Sequence, residues 1–184
     1  SNVSQEEIES SDTIHNVDYS YTSDNKKYYQ TFEYQDEMLA ADSGTLSTDL
    51  AKVTVGLATA AYDEREITAC LSSMNYTLVA SKTFNYDGVR KATYEDNDFV
   101  AFSIGYKKVS LNGETYNAYV VPIRGTTGND EWLSNFKLGA AGDSYHYGFK
   151  KAADGVLSTL RSKIKTKNNI FLITGHSRGA AVAN

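Results

Sequence analysis

One pattern in the sequence could perform acyl-transfer chemistry, Gly175-His176-Ser177-Arg178-Gly179. It directly follows Ile170–Ile173, a short apolar run typical of a strand that is buried on both faces. The small residues 180–183 come next, and we expect them to begin a helix. Strand, G-x-S-x-G and helix together form a nucleophile elbow, in which glycines permit the tight turn and the helix N-terminus stabilises negative charge. We therefore predict that Ser177 is a nucleophile and that Gly175, His176 and Gly179 shape its turn. The alternative is an incidental serine in a glycine-rich turn.

A serine nucleophile needs hydrogen-bond donors for the oxyanion of its tetrahedral intermediate. The backbone N–H of Arg178, the residue after the serine, is the obvious first donor. A second could come from Thr126, which follows the strand-like segment Val120–Gly125 and offers both an N–H and a hydroxyl. Taken alone, Arg124-Gly125-Thr126 can equally be a plain strand end.

The elements that must position these residues are readable from apolar spacing. Alternating aromatic residues on both sides of the turn-forming segment 22–26 predict a hairpin over about 17–34, after a loose acidic arm at 1–14. Helical spacing predicts one helix over about 50–61 and a second that Asp63 and Glu66 cap reciprocally, with Cys70 on its buried face. Strands follow between 76 and 124, with an Asn112-Gly113 hairpin turn, and a long helix covers about 149–164.

A long helix followed by a fully buried strand is typical of parallel sheets, so we predict an α/β fold. We divide the chain into an acidic, Tyr-rich N-terminal extension at 1–44 and an α/β domain at 45–184. The length of 184 residues, with 41% hydrophobic and 22% charged residues, suits one globular domain of ordinary size.

Three linked segments resemble the lipase class 3 family, the fungal-lipase-like branch of the α/β-hydrolases. They are VVPIRGTTGNDEWLSNF, SYHYGFKKAADGVLSTL and IFLITGHSRGAA, and they carry, in order, Arg-Gly-Thr, a tryptophan-containing segment, His-x-Gly-Phe and Gly-His-Ser-x-Gly. The resemblance is close over 118–184 and loose over 45–117. It implies an α/β-hydrolase-like, mostly parallel sheet flanked by helices, with the hairpin as an N-terminal extension.

The same resemblance implies roles for individual residues. Ser177 becomes the nucleophile, Thr126 and the Arg178 amide the oxyanion hole, and residues 127–136 a lid that contains Trp132, Leu133 and Phe136. Two positions depart from the family pattern. Arg178 stands where leucine is common, which favours anionic or polar esters, and Asn135 stands where an aspartate often steadies the oxyanion loop.

The triad order of α/β-hydrolases is serine, acid, histidine, so neither His146 nor His176 should be the general base, since both precede Ser177. We interpret both as structural and assign His15 no role. The catalytic Asp and His are then expected from a C-terminal part of the fold that this chain lacks, and we expect the chain alone to be inactive. That missing segment of the same protein is an expected partner.

These observations predict a serine esterase or lipase that hydrolyses acyl esters, most simply lipid esters, through an acyl-enzyme. A phospholipase or acyltransferase, and a non-catalytic surface or binding protein of the same fold, remain alternatives. The composition also bears on metals and cofactors. One cysteine and three histidines do not have the spacing of a zinc site, and we expect no metal and no cofactor. A net charge of −5 disfavours nucleic acid as a partner. We expect an acyl-ester substrate, transient contact with a membrane or lipid surface, and a secreted or cell-surface location, although no signal segment opens the sequence.

Overall fold

A β-hairpin lies near the start of the described chain. The computed structural model describes residues 7–40, 48–85, 89–91, 99–125, 147–164, 167–175 and 181–183. Strand β1 (His15–Ser23) pairs antiparallel with β2 (Lys26–Tyr34), and the two residues between them, Asp24 and Asn25, have φ angles of 51° and 61°. Asp and Asn tolerate this left-handed conformation, and two such residues in succession make the tight turn that suits a hairpin. The predicted hairpin is confirmed.

Two helices follow, as the apolar spacing predicts. Helix α1 spans Thr48–Ala60 and α2 spans Glu64–Ser73, after a short 3-10 turn at Asp36–Ala40. Asp63 caps α2 by accepting a hydrogen bond from the N–H of Arg65 at 2.9 Å. The prediction that Glu66 caps α2 in return is wrong. Its carboxylate instead accepts the N–H and hydroxyl of Ser20, at 3.1 and 2.9 Å, because the outer edge of β1 offers these donors.

The central sheet has six described strands in the order β4-β3-β5-β6-β7-β8. They span, in chain order, Thr77–Asn85 (β3), Arg90–Lys91 (β4), Phe99–Leu111 (β5), Glu114–Gly125 (β6), Asn169–Thr174 (β7) and Ala181–Ala183 (β8). Among these pairs only β6 and β7 are parallel. A mixed α/β fold is therefore present, but the prediction of a mostly parallel sheet is wrong. Short connections such as Asn112-Gly113 can join only antiparallel strands, and parallel strands need a long crossover.

The strand β8 also corrects the expected helix after the elbow motif. Ala181, Val182 and Ala183 pair antiparallel with Ile173, Leu172 and Phe171, so the chain reverses between Thr174 and Ala181. The edge of β7 that faces away from β6 carries backbone N–H and C=O groups, and pairing with β8 satisfies them. Residues 181–183 therefore do not supply the helix N-terminus that we expected beside Ser177.

Helices cover both faces of the sheet. The crossover helix α3 (Tyr147–Lys163) packs on one face, and α1 and α2 pack on the other. Successive residues of β6 alternate between these layers: Val120 belongs to the core under α1 and α2, and Val121 to the core under α3. No helix among the described residues is long and apolar enough to cross a bilayer.

The hairpin shares the core of α1 and α2. Val17, Phe32 and Tyr34 are buried in that core, and an added Cβ on Gly56 of α1 would lie 2.5 Å from the Phe32 ring. A glycine is therefore required where α1 crosses the hairpin. The expected loose arm is wrong for Glu9, whose carboxylate contacts Lys107 on β5. The division at residue 44 stays a prediction.

Candidate active site

The parallel pair β6–β7 brings two chain segments to the same edge of the sheet. The pairing runs from Asn117 opposite Asn169 to Pro122 opposite Thr174. Strand β6 ends at Gly125 and β7 at Thr174, so their carboxyl ends are neighbours. In α/β folds the loops that leave such neighbouring ends form ligand sites. Thr126 follows the end of β6 by one residue, and Ser177 follows the end of β7 by three.

Of the predicted site residues, Gly175 is described, and it is buried directly after β7. The others lie outside the described residues. They are the oxyanion candidates Thr126 and Arg178, the lid residues Trp132, Leu133 and Phe136, and His176, Ser177 and Gly179 of the elbow motif. Asn135 and His146 also lie outside the described residues. Their predicted roles stay predictions.

Arg124, the last residue before Gly125-Thr126, links the end of β6 to the end of α1. Its Nη1 donates a hydrogen bond to the backbone carbonyl of Tyr62 at 2.5 Å. Its guanidinium carbon also lies 4.7 Å from the centre of the Tyr62 ring, within cation–π range. Tyr62 follows the C-terminus of α1 by two residues, so one side chain joins two elements at this edge.

Thr174, the last residue of β7, is 1% exposed. Among the described residues its hydroxyl has no hydrogen-bond partner. A buried hydroxyl without a partner costs roughly 1–3 kcal/mol. The residue is nevertheless polar at the point where the chain leaves the sheet for the motif around Ser177.

A cluster of charged residues lies on the sheet face that α1 and α2 cover, away from the carboxyl ends of β6 and β7. Lys107 on β5 is 7% exposed, and its ammonium binds the carboxylates of Glu9 and Asp36, the latter at 3.0 Å. It also donates to the carbonyl of Met74 at 3.4 Å. Glu9 in turn lies 2.7 Å from Nε2 of His15. We call Glu9, Asp36 and Lys107 the ion cluster.

The ion cluster sets the pKa values of its two carboxyls in opposite directions. Burial raises the pKa of Glu9, but hydrogen bonds from Lys107 and His15 outweigh burial and hold the net pKa below its ordinary value. Burial also raises the pKa of Asp36, and there it outweighs the contacts with Lys107, so the net pKa lies above its ordinary value. Ionised Glu9 is therefore stabilised by the fold, whereas ionised Asp36 is disfavoured.

The ion cluster is remote from the edge that carries the Ser177 motif. Lys107 is opposite Ala118 of β6, seven residues before Gly125. At about 3.3 Å per residue this separates the two positions along the strand by roughly 23 Å. His15, bound to Glu9 of this cluster, therefore lies far from the carboxyl ends of β6 and β7.

Burial disfavours ionisation of three further side chains, Tyr34, Tyr76 and Cys70. Tyr34 and Tyr76 are buried with their hydroxyls 2.6 Å apart, and burial raises the pKa of both. Burial, with a smaller effect from Glu66, raises the pKa of the Cys70 thiol to about 12, which agrees with the predicted core role. In the described ranges no group of three or more His, Cys, Asp and Glu residues could hold a metal ion.

Sequence reasoning missed both Arg124–Tyr62 and the ion cluster. A signal existed for Lys107, because Gly105, Val109 and Leu111 alternate on the same face of β5 as Lys107. A lysine at a core-facing position predicts a buried charge that needs a partner. Nothing in the sequence near Lys107 names that partner, since Glu9 is 98 residues away.

No protein-family model, no curated protein and no solved structure matches this chain.

Proposed function

We propose that this protein is a serine hydrolase that cleaves acyl esters, with lipid esters as the substrate class. Ser177 attacks the acyl carbonyl, the alcohol leaves, and water releases the carboxylic acid from the acyl-enzyme. The Arg178 amide and Thr126 stabilise the oxyanion, and the segment around Trp132 covers the acyl chain. The resemblance to lipase class 3 enzymes is part of this proposal.

One observation carries the proposal: the Gly-x-Ser-x-Gly motif directly follows β7, and β7 is parallel to β6. The parallel register gives the ends of the two strands a common edge. It therefore supports a nucleophile after β7 and an oxyanion donor after β6 acting on one substrate carbonyl. An antiparallel pair would send the two segments to opposite edges.

The reaction also needs a histidine base to activate the serine. Within the described residues the only histidine is His15, which contacts Glu9 of the ion cluster and to which we assign no catalytic role. The proposal therefore requires a base from outside the described residues.

The experiment is labelling of the full-length gene product with a fluorophosphonate probe, together with hydrolysis of a short p-nitrophenyl ester. We expect the probe on Ser177. Ser177→Ala should lose both labelling and turnover while its melting temperature stays within a few degrees. Ser158→Ala, a change at an exposed serine of α3, is the matched control and should keep both. Turnover that persists in Ser177→Ala contradicts the proposal.

A non-catalytic binding protein is the second candidate, and the hairpin favours it. Tyr29 is 73% exposed with the Lys27 ammonium 5.5 Å from its ring, and Tyr28 is 40% exposed and stacks on Tyr21. Exposed aromatic residues of this kind are common in binding surfaces. Full-length protein that folds, takes no probe and hydrolyses no ester would favour this candidate.

A further inference from the structure

We propose that Arg124 is a positioning residue: by joining the end of β6 to the end of α1, it fixes the strand end that leads into Thr126, the proposed oxyanion donor. This inference rests on the proposed function. Arg124 does not touch the substrate in this scheme. It acts through the backbone that it holds.

Arg124 lies near the end of β6, on the face of the sheet that α1 and α2 cover. On β6, Ala118 and Val120 face the layer of α1 and α2, and Arg124 continues this alternation on the same face. Its backbone pairs with Ala101 of β5, and the pairing ends one residue later, at Gly125 opposite Val100. Arg124 is therefore the second-last paired residue of β6.

The side chain of Arg124 holds the chain just beyond the end of α1. Beyond Ala60 the helix α1 ends, and the carbonyl of Tyr62 faces the guanidinium. A hydrogen bond from a charged guanidinium to a carbonyl is stronger than one between neutral groups. The ring of Tyr62 adds a cation–π contact at 4.7 Å, so Arg124 is held through two different groups of one residue.

Gly125 follows Arg124 and is the last residue of β6. Gly125 has no side chain to restrict its backbone, so the direction of the chain into Thr126 depends on what fixes the strand end. Oxyanion donors must lie at hydrogen-bond distance from the position of the developing charge. A displacement of about 1 Å can cost on the order of 10²-fold in rate. A link at Arg124 removes freedom of the backbone two residues before Thr126.

The test compares Arg124→Gln, Arg124→Lys and Tyr62→Leu in the full-length protein. We expect Arg124→Gln to lower kcat by roughly 10- to 100-fold with KM changed by less than about 3-fold, because the bound substrate does not need the oxyanion donors. Arg124→Lys keeps the charge and should recover part of kcat. Tyr62→Leu removes the ring but keeps the carbonyl, so a smaller fall in kcat is expected.

Arg90→Gln is the matched control, since Arg90 is exposed at the same end of the sheet, on β4. It should leave kcat unchanged, which separates positioning from a general loss of positive charge. Hydrogen–deuterium exchange gives a readout that does not depend on activity. Amides at 123–125 should exchange faster in Arg124→Gln, while those at 106–111 should not.

Three results decide between the possibilities. An unchanged kcat, a loss confined to KM, or exchange that rises throughout the sheet overturns the positioning role. If Arg124→Gln does not fold, Tyr62→Leu carries the same comparison. If the wild-type protein hydrolyses no ester, the proposed function fails, and the exchange at 123–125 alone decides whether Arg124 fixes the strand end.

Discussion

Two cations of the central sheet have different partners. Lys107, on β5 beside Ala118 of β6, contacts the carboxylates of Glu9 and Asp36. Arg124, near the end of β6, contacts the carbonyl and the ring of Tyr62, just beyond the end of α1. The ion cluster joins parts of the chain that are 71 and 98 residues from Lys107, and charge neutralises charge there. The contact of Arg124 keeps a cation beside the strand ends that lead to Thr126 and Ser177. The comparison teaches that charged residues of one sheet can serve assembly at one end and, in our proposal, chemistry at the other.

We expect the largest effect from a substitution that removes the cation of the ion cluster. Lys107→Met leaves Glu9 and Asp36 without their buried partner, and breaking such a pair typically costs about 3–5 kcal/mol of unfolding free energy. Denaturant unfolding measures the loss. Lys108→Met, at the exposed neighbouring position, should change stability by less than about 0.5 kcal/mol. If the folded fraction of Lys107→Met has a lowered kcat, the two ends are not independent.

The next largest effect is expected at Thr126, where a substitution should change activity and leave stability unchanged. Thr126→Val removes one oxyanion donor and should lower kcat by about 10²-fold with little change in KM. The melting temperature should stay within a few degrees. Thr115→Val, an exposed position at the beginning of β6, is the control. A loss confined to KM would place Thr126 in the substrate-binding pocket instead.

A smaller effect tests the ion cluster by pH. The folded pKa of Glu9 lies below its ordinary value of 4.5, so its carboxylate stabilises the fold above about that pH. This contribution is lost as the pH falls through the folded pKa. Glu9→Gln should therefore be less stable than wild type by about 1–2 kcal/mol at pH 7, and the difference should shrink below pH 4.5.

Urea unfolding from pH 7 to pH 3 measures this difference. Asp36 has the opposite sign, because its raised pKa means that protonation favours the folded state as the pH falls. It is present in both proteins and largely cancels in the comparison. Glu7→Gln, at an exposed position two residues earlier, is the matched control. A Glu9→Gln difference that grows toward acid pH would contradict the role of Glu9.

The smallest effect concerns Thr174. Because its buried hydroxyl has no partner among the described residues, Thr174→Val should raise the unfolding free energy by up to about 1 kcal/mol. Thr174→Ser keeps the hydroxyl and should give no such gain. Calorimetry compares the two. A clear loss in Thr174→Val would show that the hydroxyl is bonded to a residue outside the described ranges.

Local sequence signals were enough to predict the individual helices, turns and the buried strand. Asp24-Asn25 and Asn112-Gly113 made their turns because these residues accept positive φ, and apolar spacing located α1, α2, α3 and β7. The burial of Cys70 followed from the same spacing. Each of these signals acts within a few residues of the chain, so no knowledge of the fold was needed. The motif around Ser177 was equally local, although its chemistry stays a prediction.

The tertiary structure decided what joins distant parts. Strand direction, the pairing of 181–183 with β7, the partner of Glu66, and the links Glu9–Lys107 and Arg124–Tyr62 all depend on which edges and charges remain open once the elements pack. Glu66 illustrates the reason: its spacing from Asp63 satisfied a capping rule, yet its carboxylate accepts two hydrogen bonds from Ser20, 46 residues away. A capping rule considers only partners within a few residues of the chain. Packing brings distant residues close enough to compete for the same side chain.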